Sequence, residues 1–195
     1  FAAKITADDW AVVSSGKVIK VYEDFNGRNY TTIKFPITNG GKKLLAGYTI
    51  DITERKQLEK QLRTKESAIT SSINAIAHAD MQGNITYVNP SFLKIWGYEK
   101  AEEVMGRPVA GFWQTPEKVE EIVKAMQVKG IWQGELIAKR KDGSNFDALL
   151  SANLVTDETG NPICMSASFI DITERKQAEE KIKRATEEWR NTFDS

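Results

Sequence analysis

The octapeptide IDITERKQ occurs at residues 50–57 and again, unchanged, at residues 170–177 of a 195-residue chain. A charged identity of this length at the single offset of 120 marks an internal duplication. Whatever one copy builds, the other must be able to build too. The same offset places Leu58 on Ala178, Leu62 on Ile182, Ile69 on Trp189 and Ile73 on Phe193. Apolar positions spaced by four, seven and four share one face of a helix, and Lys, Glu, Gln and Arg fill the positions between them. Each octapeptide is therefore predicted to run into an amphipathic helix, one near 54–75 and one from 174 onward. Thr53 and Thr173 suit the N-cap, and Glu54 and Glu174 follow where the helix dipole favours negative charge. A heptad through Leu58, Leu62 and Ile69 puts Lys65 and Ser72 in the seam. A poor dimeric coiled coil and a helix lying on its own domain both fit that pattern.

Ahead of each octapeptide the period changes from helix to strand. In GSNFDALLSANLV, residues 143–155, Phe146, Ala148, Leu150, Ala152 and Leu154 alternate with mostly polar neighbours, the pattern of a half-buried strand. KDGS and TDETGNP supply the flanking turns. Met165, Ala167 and Phe169 continue the alternation in the next strand, and residues 131–140 form the preceding one. GKVIKVYEDF, YTTIKFPI and LLAGYTI, separated by NGRN and TNGGKK, repeat this three-strand ending before Asp51, with shorter turns. Only the second copy has a full front half: a strand, a proline-started turn and a short helix in 83–98, then a helix in 115–130.

The totals narrow the function. Lys+Arg and Asp+Glu stand at 27 each, which gives no basic surplus for nucleic acid or an anionic membrane. No stretch approaches the roughly 18 apolar residues of a membrane span. One cysteine, Cys164, rules out an internal disulfide and any cysteine-based metal cluster. A reduced, cytoplasmic setting follows, with membrane anchoring left to segments outside this sequence. The one histidine, His78, lies in AIAHADMQG, without the surroundings of a phospho-acceptor. There is no glycine-rich nucleotide loop, and without a usable histidine no nucleophile–base pair can be assembled. The expectation is a chain that is not itself an enzyme and holds no metal.

DMQGNITYVNPSFLKIWGYEKAEEVMGRP, then KRKDGSNF, then FIDITERK, in that order, resemble the PAS sensory domain from front to back. The resemblance implies an α+β PAS fold, a five-stranded antiparallel sheet with helices on one face, in tandem modules joined by amphipathic signalling helices. Residues 1–52 resemble only a C-terminal half, whose missing strands would lie upstream. Residues 53–69 form a linker helix, 70–174 a complete second domain, and 175–195 an outgoing helix toward a further module. The arrangement is similar to the PAS regions of sensor histidine kinases, with diguanylate cyclases as the alternative.

In that family the resemblance places a small-molecule pocket on the inner sheet face. The expected lining comes from Tyr87, Phe92, Ile95 and Trp96, from Phe112, Trp113, Val123 and Met126, and from the sheet residues Leu136, Ala148, Leu150, Met165 and Phe169. The same residues could simply fill a core, but Ala138, Ala148, Ala152 and Ala167 leave some room. The family's flavin photosensors carry a reactive cysteine where Val109 stands, and asparagines at the positions of Ala138 and Ala148. Its haem sensors use a histidine in the helix matching 116–129, which has none. No flavin and no haem is expected, and a small apolar ligand remains. The resemblance also assigns a signal junction: Asp51, Thr53 and Arg55 in the first copy, Asp171, Thr173 and Arg175 in the second, with each aspartate paired to its arginine. The expected role is a sensory relay whose partners are a second copy, through linker helices or a sheet edge, and an output domain downstream. A dimerisation module without ligand is the competing reading.

Overall fold

The computed structural model describes the backbone of residues 2–193 and the side chains of residues 9–190. The chain forms two compact units, Phe1–Glu66 and Ser67–Ser195. In the first, helix α1 (Ala2–Ser15) precedes strands β1 (Ile19–Phe25), β2 (Arg28–Asn39) and β3 (Lys42–Asp51), which pair antiparallel in the order β1-β2-β3. The stretch around Trp10, ahead of the first strand, is thus a helix. It buries Val12 completely against the sheet, and Asp9 meets the buried Lys34 at 2.6 Å. Both hairpins close in two residues. Asn26 and Gly27 sit at φ 49° and 75°, and Gly40 and Gly41 at 57° and 77°. These left-handed pairs match the twist of the flanking strands, which is why Asn-Gly and Gly-Gly stand there.

Helix α2 (Thr53–Thr70) leads out of β3 and buries no residue. Leu58 and Leu62 are each 59% exposed. The alternative in which this helix lays its apolar stripe on its own domain is therefore not realised, because the stripe points to solvent.

The second unit has strands β4 (Ala75–Ala79), β5 (Ile85–Val88), β6 (Ile131–Lys139), β7 (Asn145–Thr156) and β8 (Pro162–Asp171) in the order β5-β4-β8-β7-β6. Every neighbouring pair is antiparallel. Helices α3 (Pro90–Trp96) and α4 (Pro116–Lys129) and two 3-10 turns, Ala101–Glu103 and Val109–Phe112, supply residues to the core over one face. This is the α+β PAS fold. Phe146, Ala148, Leu150 and Ala152 are all buried, so the period-two pattern of β7 turns one row inward. Phe92 and Trp96, one helical turn apart, stack with centroids 4.3 Å apart. Phe146 and Phe169 meet the Trp96 ring edge-on at 5.0 and 5.1 Å. Burying each such ring contributes about 1.5–3 kcal/mol, and edge-on contacts add about 0.5–1.5.

Helix α5 (Thr173–Phe193) follows β8. Its Ile182 is 68% exposed. The Phe193 side chain and residues 194–195, expected as the end of this helix, lie outside the described residues.

Candidate functional site

Between β4, β7, β8 and α4 lies an apolar cavity of about 60 Å³. Trp113, Val123, Met126, Leu150, Met165 and Phe169, all expected there, line it. Ala77, Ala79, Ala152 and Ala167 also line it, and their short side chains are what leave it open. Phe92, Trp96, Phe112, Leu136 and Ala148 are fully packed core beside it, and Ile95 packs on that core half-buried. Tyr87, also expected there, does not line the cavity. It pairs across strands with His78, on the face opposite Ala77 and Ala79, with rings 5.1 Å apart. A register shift after His78 lets both Ile85 and Val88 face the core and turns Tyr87 away from it. Burial pushes the His78 imidazole pKa below its usual value.

Two polar side chains clamp the ends of α3. Asn89 is completely buried and fully used. Its Oδ1 accepts from the backbone N–H groups of Ile76 (2.8 Å) and Phe92 (3.0 Å). Its Nδ2 donates to the carbonyls of Asn74 (3.0 Å) and Ile69 (3.2 Å), the latter in the last turn of α2. Asn before Pro90 is thus both helix cap and anchor for the incoming helix. At the other end, Arg140 Nε donates to the Ile95 carbonyl at 2.9 Å, and its Nη2 reaches Asp171 at 2.9 Å. The guanidinium lies 4.2 Å from the centroid of Phe146. Beside it, Lys141 N–H donates to the Trp96 carbonyl at 2.9 Å. A continuous set of bonds therefore runs from the end of α2, through α3, to the start of α5.

The junction residues take other partners than expected. Asp171 pairs with Arg140, and Arg175 with Glu135 at 3.0 Å; Asp51 lies 3.5 Å from Arg28, and Arg55 pairs with Glu59. Each aspartate instead bonds the N–H two residues on, Asp51 to Thr53 and Asp171 to Thr173, both at 2.9 Å. That turn aims the arginines four residues ahead along the helix surface, away from the aspartates. Nor do the threonines cap their own helices. The first helical bonds run from Lys56 to Ile52 and from Lys176 to Ile172, so the threonines are already inside the first turn. Their hydroxyls reach back to β2 and β7, accepting from Asn29 N–H (2.9 Å) and Asp147 N–H (3.0 Å). The Thr53 hydroxyl and backbone hold the Asp51 carboxyl below the usual range.

These matching bonds make Asn29 the counterpart of Asp147, and strand register then makes Tyr22 the counterpart of Glu135. In the second unit Lys176 sits 2.8 Å from both Asp147 and Glu135. Asp147 first, then Glu135, raises the Lys176 pKa, and Lys176 in turn lowers that of Glu135.

A five-stranded antiparallel sheet of this order, with helices over one face and a helix leaving its last strand, is the architecture that the PAS resemblance implies. The family model for the PAS domain matches residues 73–174, just over half of the chain, so the chain belongs to the PAS family. Over 74 residues it is 34% identical to the nitrogen fixation regulatory protein of Klebsiella pneumoniae, covering 37% of this chain and 15% of that protein. Over 133 residues it is 29% identical to the C4-dicarboxylate transport sensor protein DctS of Rhodobacter capsulatus, covering 65% of this chain and 19% of that one. The chain thus spans less than a fifth of either relative. The PAS domain of an HTR-like protein from Haloarcula marismortui shares 26% identity and superposes with a TM-score of 0.54, covering 61% of this chain and 98% of that one. A PAS domain from Colwellia psychrerythraea gives 26% and 0.53, covering 58% and 98%. Among the described residues no helix is long and apolar enough to cross a membrane.

Proposed function

We propose that this chain is a non-catalytic sensory and relay segment of a larger signalling protein, a sensor histidine kinase in the first instance, with a diguanylate cyclase as the alternative parent. The observation that carries the relay is the bonded path Ile69–Asn89–α3–Ile95–Arg140–Asp171, which links the incoming helix to the outgoing one past the aromatic core. A shift of α3 moves both of its clamps, and allosteric coupling of this kind needs only about 1–3 kcal/mol. The signalling names of the two relatives support the same reading.

The ligand class follows from the cavity. About 60 Å³ lined almost wholly by apolar side chains suits a small apolar molecule. Sites for larger ligands run to roughly 300–1,000 Å³, so no flavin or haem belongs to this reading. The exposed stripes of α2 and α5 are where a second copy would pair, and the output domain would follow α5 in the same polypeptide.

The test fills the cavity from β4 with Ala77→Val and measures amide hydrogen exchange. The relay requires altered protection at Thr173 and Lys176, far from the added methyls. Changes confined to the cavity wall would reject the relay and favour a dimerisation module without ligand.

A further inference from the structure

The two junctions share the same backbone frame but differ in charge. In the second unit the cation at the first turn, Lys176, is neutralised by Asp147 and Glu135. In the first unit those two positions hold Asn29 and Tyr22, and the Lys56 Nζ lies 5.9 Å from the centroid of the Tyr22 ring. Lys60 and Arg63 follow Lys56 by four and seven residues, which puts all three cations on one side of α2. They line a groove of about 440 Å³ together with Asn29, Gln57 and Glu59. Glu59, the one carboxylate in the lining, is engaged by Arg55 at 3.0 Å. Among the described residues, no carboxylate lies within ion-pair distance of Lys56, Lys60 or Arg63. Where α2 has Lys60, α5 has Glu180, paired to Arg184. The first junction thus keeps the cations of the second at Lys56 and Arg63, the counterparts of Lys176 and Lys183, loses the carboxylates that hold Lys176, gains one cation at Lys60, and opens a groove of small-molecule size.

We infer that this groove binds a small organic dianion, a phosphate ester or a dicarboxylate, whose oxygens take the place that Asp147 and Glu135 hold in the second unit. One anionic group meets Lys56 in the first turn of α2, where Asn29 can donate to it. The other meets Lys60 and Arg63 one to two turns further along. Ammonium and guanidinium groups both bind such oxygens through charge-assisted hydrogen bonds. Because Lys56 stands in the turn that Thr53 ties to β2, an occupant bears on the exit of the helix from the sheet.

The experiment is a titration of the full chain with inorganic phosphate and, separately, malonate. Amide and side-chain resonances are followed by NMR, with sodium chloride adjusted to hold ionic strength constant. The expected result is a saturable shift at Asn29 and along Lys56–Arg63 for at least one probe, the phosphate and malonate arms deciding which oxygen chemistry is preferred. Lys56→Gln and Arg63→Gln should each weaken binding about fivefold or more, and Glu59→Gln should tighten it. Lys176→Gln, at the other junction, should leave the affinity unchanged. Shifts that chloride reproduces at equal ionic strength, or that survive both cation variants, would overturn the inference. So would a response spread over every exposed lysine.

Discussion

Replacing Arg140 by alanine tests the proposed relay at its narrowest point. The guanidinium's bond to the Ile95 carbonyl contributes about 1.5–3 kcal/mol, as charged hydrogen bonds do. The ion pair with Asp171, whose two side chains are 28% and 31% exposed, adds up to about 1 kcal/mol. Its placement over Phe146 adds about 0.5–1 kcal/mol. The three share one side chain and do not simply sum, so Arg140→Ala should cost the second unit about 2–4 kcal/mol. Arg140→Lys keeps the charge but donates from one nitrogen on a flexible stem and lacks the planar fork whose Nε and Nη2 reach Ile95 and Asp171 at once. It should fall midway. The two units need not unfold together, so the reading is best taken from native-state hydrogen exchange at core amides of the second unit, with urea as the perturbant. Protection should fall most at Lys141, which bonds the Trp96 carbonyl, and at Thr173. A cycle with Asp171→Asn should return a coupling of about 0.5–1 kcal/mol. Loss below about 0.5 kcal/mol for Arg140→Ala, with Thr173 unaffected, would refute the idea that this arginine joins α3 to the outgoing helix.

Three further outcomes are expected. Asn89→Ala strands the Ile76 N–H and takes one donor from each of the Asn74 and Ile69 carbonyls, while the Phe92 N–H keeps the Asn89 carbonyl at 3.1 Å; it should cost about 2 kcal/mol, visible as a lower melting temperature, and a change under about 1 kcal/mol would mean the side-chain bonds are replaceable. Gly134→Ala puts a methyl 2.7 Å from the Trp132 ring and should cost about 1–3 kcal/mol by overpacking, with an altered near-UV signal; an unchanged signal and stability would show that the ring moves freely. His78, whose pKa burial lowers from 6.5, binds its proton more readily in the unfolded chain. Stability should therefore be full above pH 6.5 and decline as pH falls from there through the folded pKa, a slope that His78→Gln removes; an imidazole that titrates by NMR at or above 6.5 contradicts it.

Periodicity made the sheet of the second unit legible, because alternation in Phe146–Leu154 and Met165–Phe169 can bury only one row. It made the helices after Asp51 and Asp171 legible for the same reason. What it missed were residues whose roles depend on where the chain returns. Asn89 looked like the start of a turn, and nothing local says that its amide spans Ile69 and Asn74. Arg140 reads as the last residue of a strand, and its two acceptors lie 45 and 31 residues away. Tyr87 was misassigned because one shift of register after His78 turns its side chain to the other face, and bulges leave little trace in composition. Among the described side chains of the helix around Trp10, one valine is buried and one aspartate is ion-paired, and these form no stripe that periodicity could show.

The repeated octapeptide teaches the same lesson from the other side. Its identity fixes what depends on its own backbone: the Asp–Thr turn, the threonine hydroxyl on the preceding strand (β2 or β7), and the first helical bond to the isoleucine carbonyl, each present in both copies. It does not fix what depends on the strands beside it. The offset between counterparts falls from 120 at Asp51–Asp171 to 118 at Asn29–Asp147 and 113 at Tyr22–Glu135, since the turns of the first copy are shorter. Along those strands the residues have diverged, so one lysine is held by two carboxylates and its twin by a tyrosine ring. An identical sequence therefore makes identical joints with different electrostatic settings. Exchanging the settings separates joint from charge: Asn29→Asp with Tyr22→Glu in the first unit should draw Lys56 into the arrangement of Lys176. The Lys56 resonances would then become insensitive to added anion, without any change in the Thr53 bond to β2. If the paired substitution instead disrupts that bond, the joint and its charge partners are one structure and the two copies cannot be tuned independently.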